Sequence, residues 1–196
     1  MYTDIEIICS GNNDRSPVAK ASGIKLVKLL GLQDTVNISS SGTMVDLSQI
    51  SDLTGLLMPH VEKSVRIGFL TPDYIQRARE DPLAVADEML TKGENWRNRY
   101  IMESMGLDFS GHQRRQTVLR PEAKLILPVA GDVLEKVNEI YKGATGVRIE
   151  LLPAFAGLPY NLSGEDDAIV NYQGYKRLMA KVETVTRAAM VKALEL

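Results

Sequence analysis

Apolar residues fall into two rhythms along this chain. The first is a short, largely β-branched run, Ile5-Glu6-Ile7-Ile8, stopped by the turn formers Ser10-Gly11-Asn12-Asn13-Asp14, and a run of that length entering such a cluster reads as a buried strand leading into a loop. The second begins at Ser16-Pro17. Val18, Ala21, Ile24, Val27 and Leu30 recur every three residues, Pro17 suits the first helical position, and Gly31 stands where the helix would end. Further strands are expected at Val36–Ser39, Lys124–Leu127 and Val147–Leu152. Between and after them lie helical patterns: Asp132 and Glu135 have capping-box spacing for a helix running to Tyr141, and Val170–Leu194 carries Leu178, Val182, Val185 and Ala189 on one face. Strands alternating with helices imply an α/β fold with a parallel sheet covered on both faces.

The segment from about 45 to 100 supplies no strand pattern. Thr71-Pro72 followed by Tyr74, Ile75 and Ala78 predicts one helix start and Asp81-Pro82 another, so two or three helices are expected there, with Pro59 and Gly68 as breaks and Trp96 and Tyr100 packing a helix. At 196 residues the chain is expected to form one domain, 1–196, carrying this stretch as an insertion.

Composition narrows the function. Hydrophobic residues at 44% and charged residues at 24% suit a folding globular chain, and 23 basic against 25 acidic residues leave a net charge of −2, so no global field draws the protein to nucleic acid or an anionic membrane. No apolar run approaches the ~18 residues of a membrane span, and Met1-Tyr2-Thr3-Asp4 lacks the basic region of a signal peptide. A cytoplasmic protein without nucleic-acid or membrane partners is expected. His60 and His112 have no metal-ligand spacing around them, so both are read as structural or surface residues and no metal is expected. Arg114, Arg115 and Arg120 form a basic cluster whose expected role is a solvated face or intramolecular pairing.

A single cysteine, Cys9, ends the first strand, and Arg15 follows after five intervening residues, just before the Ser16-Pro17 helix start. A loop of that length on a helix N-terminus can turn its backbone N–H groups inward and form an anion nest. Gly11 permits the tight turn. The same nest, with Arg15 beside it, would hold the Cys9 thiol below its ordinary pKa of about 8.5 and make it a nucleophile. The N–H groups and the Arg15 fork would also hold three oxygens of a phosphoryl group.

Cys9-Ser10-Gly11-Asn12-Asn13-Asp14-Arg15-Ser16-Pro17 resembles the C-x-G-N-x-x-R-S-P signature of the low-molecular-weight protein tyrosine phosphatases. Ser40-Ser41-Gly42-Thr43, and Gly106-Leu107-Asp108 with His112, extend the resemblance. It implies a four-stranded parallel sheet flanked by helices, with no cofactor, and a two-step reaction through a cysteinyl-phosphate. Carried over by position, Cys9 is the nucleophile, Arg15 binds phosphate, the Ser16 hydroxyl hydrogen-bonds the thiolate and Asn12 braces the loop, while Ser10, Gly11, Asn13 and Asp14 offer mainly backbone N–H groups. The family's segment after the Ser-Gly-Thr element forms part of the active-site wall, which would give residues 45–100 control of access. Two positions depart from the pattern. Asp14 stands where the family usually has a second cysteine, and Leu158-Pro159-Tyr160 replaces an Asp-Pro-Tyr motif that supplies the general acid. Glu165, Asp166 and Asp167 follow, and Asp166 is the candidate acid.

The leading expectation is therefore a phosphomonoester hydrolase acting on a phosphotyrosine protein or a small phosphate ester and releasing phosphate. A phosphate- or phosphoprotein-binding module with weak or no turnover is a second reading, motivated by Leu158. Arsenate reduction is a third and would need an external thiol, since Cys9 is the one cysteine.

Overall fold

The computed structural model describes residues 1–66, 68, 70–109, 112–163 and 172–195, with the side chains at 49, 92–103 and 172 left aside. Glu165, Asp166 and Asp167, the helix start expected at Val170, and the side chains of Trp96 and Tyr100 lie outside the described residues. Strands β1 (Asp4–Cys9), β2 (Asn37–Gly42), β3 (Leu125–Pro128) and β4 (Arg148–Ile149) form one sheet in the order β2-β1-β3-β4. Every pairing is parallel. The helices are α1 (Arg15–Leu29), α2 (Leu53–Arg66), α3 (Asp73–Glu80), α4 (Pro82–Met105), α5 (Gly131–Ile140), α6 (Leu152–Ala156) and α7 (Tyr172–Leu194).

β1 lies between two parallel neighbours, and Ile5, Ile7 and Ile8 are fully buried. Side chains alternate across a strand, so both faces of β1 are covered and its sequence reads as a run instead of an alternation. α1 packs on α7, and the expected stripe Leu178, Val182, Val185 and Ala189 of α7 is buried in the main core. This arrangement aims the end of β1, the loop at 10–14 and the start of α1 at one point.

Several elements differ from those expected. Pro17 is the third residue of α1, because the helix begins at Arg15. Asp132 does not cap α5: the helix starts at Gly131, two residues earlier than that cap would place it, and Ala130 holds the cap position without a side-chain hydrogen bond. The fourth strand has two residues, not six, because Leu151 caps α6, a helix not expected from the sequence, and Leu152 and Pro153 form its first turn. Pro59 does not break the chain but lies inside α2.

That last correction has an energetic reason. A proline in a helix interior costs about 3 kcal/mol, but Leu57 and Val61 on α2 are buried with Leu70, Tyr74, Ala78, Val85 and Ala86 in a second apolar cluster. Burying two aliphatic side chains contributes roughly 3–6 kcal/mol, enough to hold the helix through the defect. The cluster joins α2, α3 and α4, and Gly68, at φ 76°, makes the break between α2 and α3 as expected.

Candidate active site

The loop between β1 and α1 closes around the Cys9 thiol. Cys9 is buried and free; the Asn12 backbone N–H donates to its Sγ at 3.2 Å and the Ser16 hydroxyl lies at 3.0 Å. Asn12 reaches this position with φ 53°, a left-handed conformation that a short polar side chain tolerates. Both groups are donors aimed at sulfur, and both interactions strengthen when the sulfur carries charge. No side chain caps α1, and its first turn holds no acidic residue. Its N-terminal dipole therefore favours an anion at the loop.

The Ser16 hydroxyl has one proton and three acceptors in reach: Cys9 Sγ, Asn12 Oδ1 at 3.1 Å and the Ser41 carbonyl at 3.2 Å. Ionised sulfur is the strongest of the three, so deprotonation of Cys9 would draw the hydroxyl to it. Gly42, at the end of β2, lies directly beneath the loop. A Cβ there would come within 2.5 Å of the Ser10 carbonyl oxygen and 2.7 Å of the Asn12 nitrogen. Thr43 N–H and Met44 N–H donate to the Cys9 and Ser10 carbonyls, tying the turn to the loop. The Ser40–Thr43 element singled out in the sequence is thus the floor of the site.

Arg15 is the first residue of α1, and its Nη1 donates to the Leu162 carbonyl at 2.9 Å. The side chain links the loop at 10–14 to the segment after α6. Asp14 has its Oδ1 3.5 Å from the Tyr175 hydroxyl on α7, a contact that points the carboxylate toward α7. His112 lies 2.8 Å from the Asn12 carbonyl through Nε2 and against Phe109, which fits its expected structural part. Leu158 packs at the edge of the main core, while Tyr160 is exposed. Among the described residues no group of three or more His, Cys, Asp or Glu side chains has metal-site geometry, and no helix is long and apolar enough to cross a membrane.

One part of the site was not anticipated. Glu6 is fully buried on β1; its Oε1 accepts from Ser41 Oγ at 2.7 Å and from Arg115 Nη2 at 2.8 Å, and Arg120 Nη1 lies 3.6 Å from its Oε2. Arg115 also gives its carbonyl to the Gly42 N–H, and Thr117 N–H returns to the Gly42 carbonyl. Nearby, the Tyr141 hydroxyl accepts from Arg120 N–H and donates to the Val118 carbonyl; burial, with the Glu6 charge second, pushes its pKa up to about 12. A buried charge thus clamps the floor of the site from below, and intramolecular pairing accounts for Arg115 and Arg120. Arg115→Ala is expected to cost about 2 kcal/mol, below the ~3–5 kcal/mol of a fully buried pair because Arg115 is half exposed and Arg120 remains. Thermal unfolding should show a fall in Tm of roughly 4–8 °C, and an unchanged Tm would mean that the clamp contributes nothing to stability.

No protein-family model matches the sequence, and comparison with curated proteins gives no match. Solved structures do match. A protein tyrosine phosphatase from Entamoeba histolytica is 15% identical, with 98% of this chain and 97% of that chain covered and a TM-score of 0.63. DARP, a Drosophila arginine phosphatase, is 16% identical over 95% of this chain and 94% of that one, at 0.60. A low-molecular-weight protein tyrosine phosphatase from T. tengcongensis is 18% identical over 95% and 96%, at 0.57. The chain has the fold of these phosphatases.

Proposed function

We propose that this protein is a cysteine-dependent phosphatase that hydrolyses phosphorylated protein through a cysteinyl-phosphate at Cys9. The observation that carries the reading is the Cys9 Sγ held by Asn12 N–H and Ser16 Oγ at an uncapped helix N-terminus, with Arg15 in the same loop. In the first step the Cys9 thiolate attacks phosphorus, a P–S bond forms and the ester P–O bond breaks. The departing oxygen takes a proton from a general acid, for which Asp166 is the candidate. In the second step water attacks phosphorus and gives a proton back to the carboxylate that acted as the acid, the P–S bond breaks, phosphate leaves and the thiolate returns. Throughout, backbone N–H groups of Ser10, Gly11, Asn13 and Asp14 and the Arg15 fork hold the equatorial oxygens while the Asn12 N–H stays on the sulfur, so the developing charge is balanced without moving the protein.

Phosphotyrosine is the substrate we assign, supported by the tyrosine phosphatases among the fold neighbours, with residues 45–100 shaping access within a single catalytic domain and the cytoplasm as location. The test is rapid quenching of a reaction with para-nitrophenyl phosphate, followed by mass spectrometry. One phosphoryl group on the Cys9 peptide is expected, together with faster turnover of phosphotyrosine than of phosphoarginine peptides, the second being included because one neighbour is an arginine phosphatase. Tight phosphate binding with neither turnover nor adduct would make the protein a phosphate-binding module instead.

A further inference from the structure

A groove of about 500 Å³ runs between α1 and the segment that follows α4. Its near end is Pro17, two residues from Arg15, and His112, whose ring touches the carbonyl of Asn12 in the phosphate loop. From there it follows α1 past Ala21 and Ile24 to Leu29, which is 73% exposed. Lys20, Lys25 and Lys28 line it.

The charge of α1 sets this surface apart from an ordinary solvated face. Its fifteen residues, Arg15–Leu29, include four basic and no acidic side chains, in a chain whose net charge is −2. Solvent-facing helices gain from opposite charges spaced three or four apart, and like charges at that spacing repel. Lys25 and Lys28 stand three apart, and none of the three lysines makes an ion pair among the described residues; Lys25 reaches only the Gly106 carbonyl, at 3.4 Å. Asp108 is the one carboxylate among the lining residues. An apolar floor with a cationic rim is complementary to a segment that carries carboxylates beside an aliphatic or aromatic residue.

We propose that this groove binds an acidic peptide segment of the substrate protein, close in sequence to the phosphorylated residue. Pro17 to Leu29 spans about 18 Å of helix, which an extended chain covers in five or six residues. The acidic positions would therefore lie within about six residues of the phosphorylated one. Assigning the segment to the substrate rests on the phosphatase reading; binding of an acidic peptide to the groove does not.

The experiment measures fluorescence anisotropy of a labelled, unphosphorylated peptide of about eight residues, rich in glutamate with one central phenylalanine, against the full chain. Its counterpart has glutamine at every glutamate. The acidic peptide is expected to bind, the glutamine peptide to bind at least about tenfold more weakly, and Lys20→Glu/Lys28→Glu to abolish the difference while leaving para-nitrophenyl phosphate kinetics unchanged. Lys20→Gln/Lys28→Gln should give an intermediate loss. Equal binding of both peptides, or undiminished binding to the two double variants, would overturn the proposal. So would an oligonucleotide of equal charge that binds as well and by the same lysines. If the acidic peptide binds as expected and no phosphatase activity is found, the groove stands and the enzymatic reading fails. For the substrate assignment, phosphotyrosine peptides with acidic flanks should show a lower KM than neutral ones in the wild type and the same KM in the charge-reversed variant.

Discussion

Cys9→Ser protein should lose turnover of para-nitrophenyl phosphate by roughly 10⁴-fold or more, the scale set by removing a nucleophile from an assembled site. The reason is acidity. Two donors and a helix N-terminus surround the Cys9 sulfur, and a thiol is a far stronger acid and a better nucleophile than the alkyl hydroxyl that replaces it. The anion site itself should survive, because its N–H groups belong to the backbone and Arg15 is untouched. Phosphate at a hundred times its Kd should then stabilise the variant by about 2.7 kcal/mol, seen as a rise in Tm of roughly 5–11 °C. Activity of the Cys9→Ser variant within tenfold of wild type, in protein purified free of contaminating phosphatase, would remove the covalent step. Loss of the phosphate-induced Tm shift along with the activity would mean that the loop had collapsed and that the rate says nothing about chemistry.

Arg15→Lys is the second large effect. The guanidinium has donors enough to hold the Leu162 carbonyl through Nη1 and still present an edge to an anion. An ammonium keeps the charge but has no planar fork, so it cannot present two parallel donors to the anion while it holds the carbonyl. Loss of a donor aimed at developing charge lowers kcat by about 10² to 10³-fold, and a fall of that size in kcat/KM is expected for the lysine variant. The Leu162 tether adds a second reading of the same protein: backbone amides at 158–163 should exchange with solvent faster. Near-wild-type kinetics would show that Arg15 is not the phosphate clamp, and unchanged exchange would show that the tether does not order the segment.

The loop and the existence of its flanking elements were legible from an apolar run, turn formers and a helical pattern behind proline, but the face of α1 was not: Val18, Ala19, Ser22, Gly23 and Val27 are buried, whereas Ala21 and Ile24 of the expected stripe are half-buried and Leu30 is exposed. β2 was found only in part, as Val36–Ser39 instead of Asn37–Gly42, since Ser39, Ser40 and Ser41 have little intrinsic strand preference and are held extended by pairing with Glu6, Ile7 and Ile8. Glu6 carried a signal that went unused. A charge inside the run of a doubly covered strand needs a partner, but nothing local says that the partner is Arg115, more than a hundred residues away. The Leu162 and Ser41 carbonyls leave no trace in residue type at all, because the backbone supplies them. His112 was visible by its resemblance, and its task, holding the Asn12 carbonyl, was not.

The outer strands of the sheet bear on how another chain can meet this one. On the outside of β2, Gly42 is already bridged to Gln116, and the strand ends in serine and glycine. At the other margin β4 offers two residues, and its Arg148 is paired to Glu150. A polar margin bridged at its end on one side and a two-residue margin on the other give a foreign strand little ladder to extend, which is the usual protection against sheet-to-sheet aggregation. The same margins offer a partner's strand little to pair with beyond residues 37–41, which favours recognition through helices and loops over strand addition.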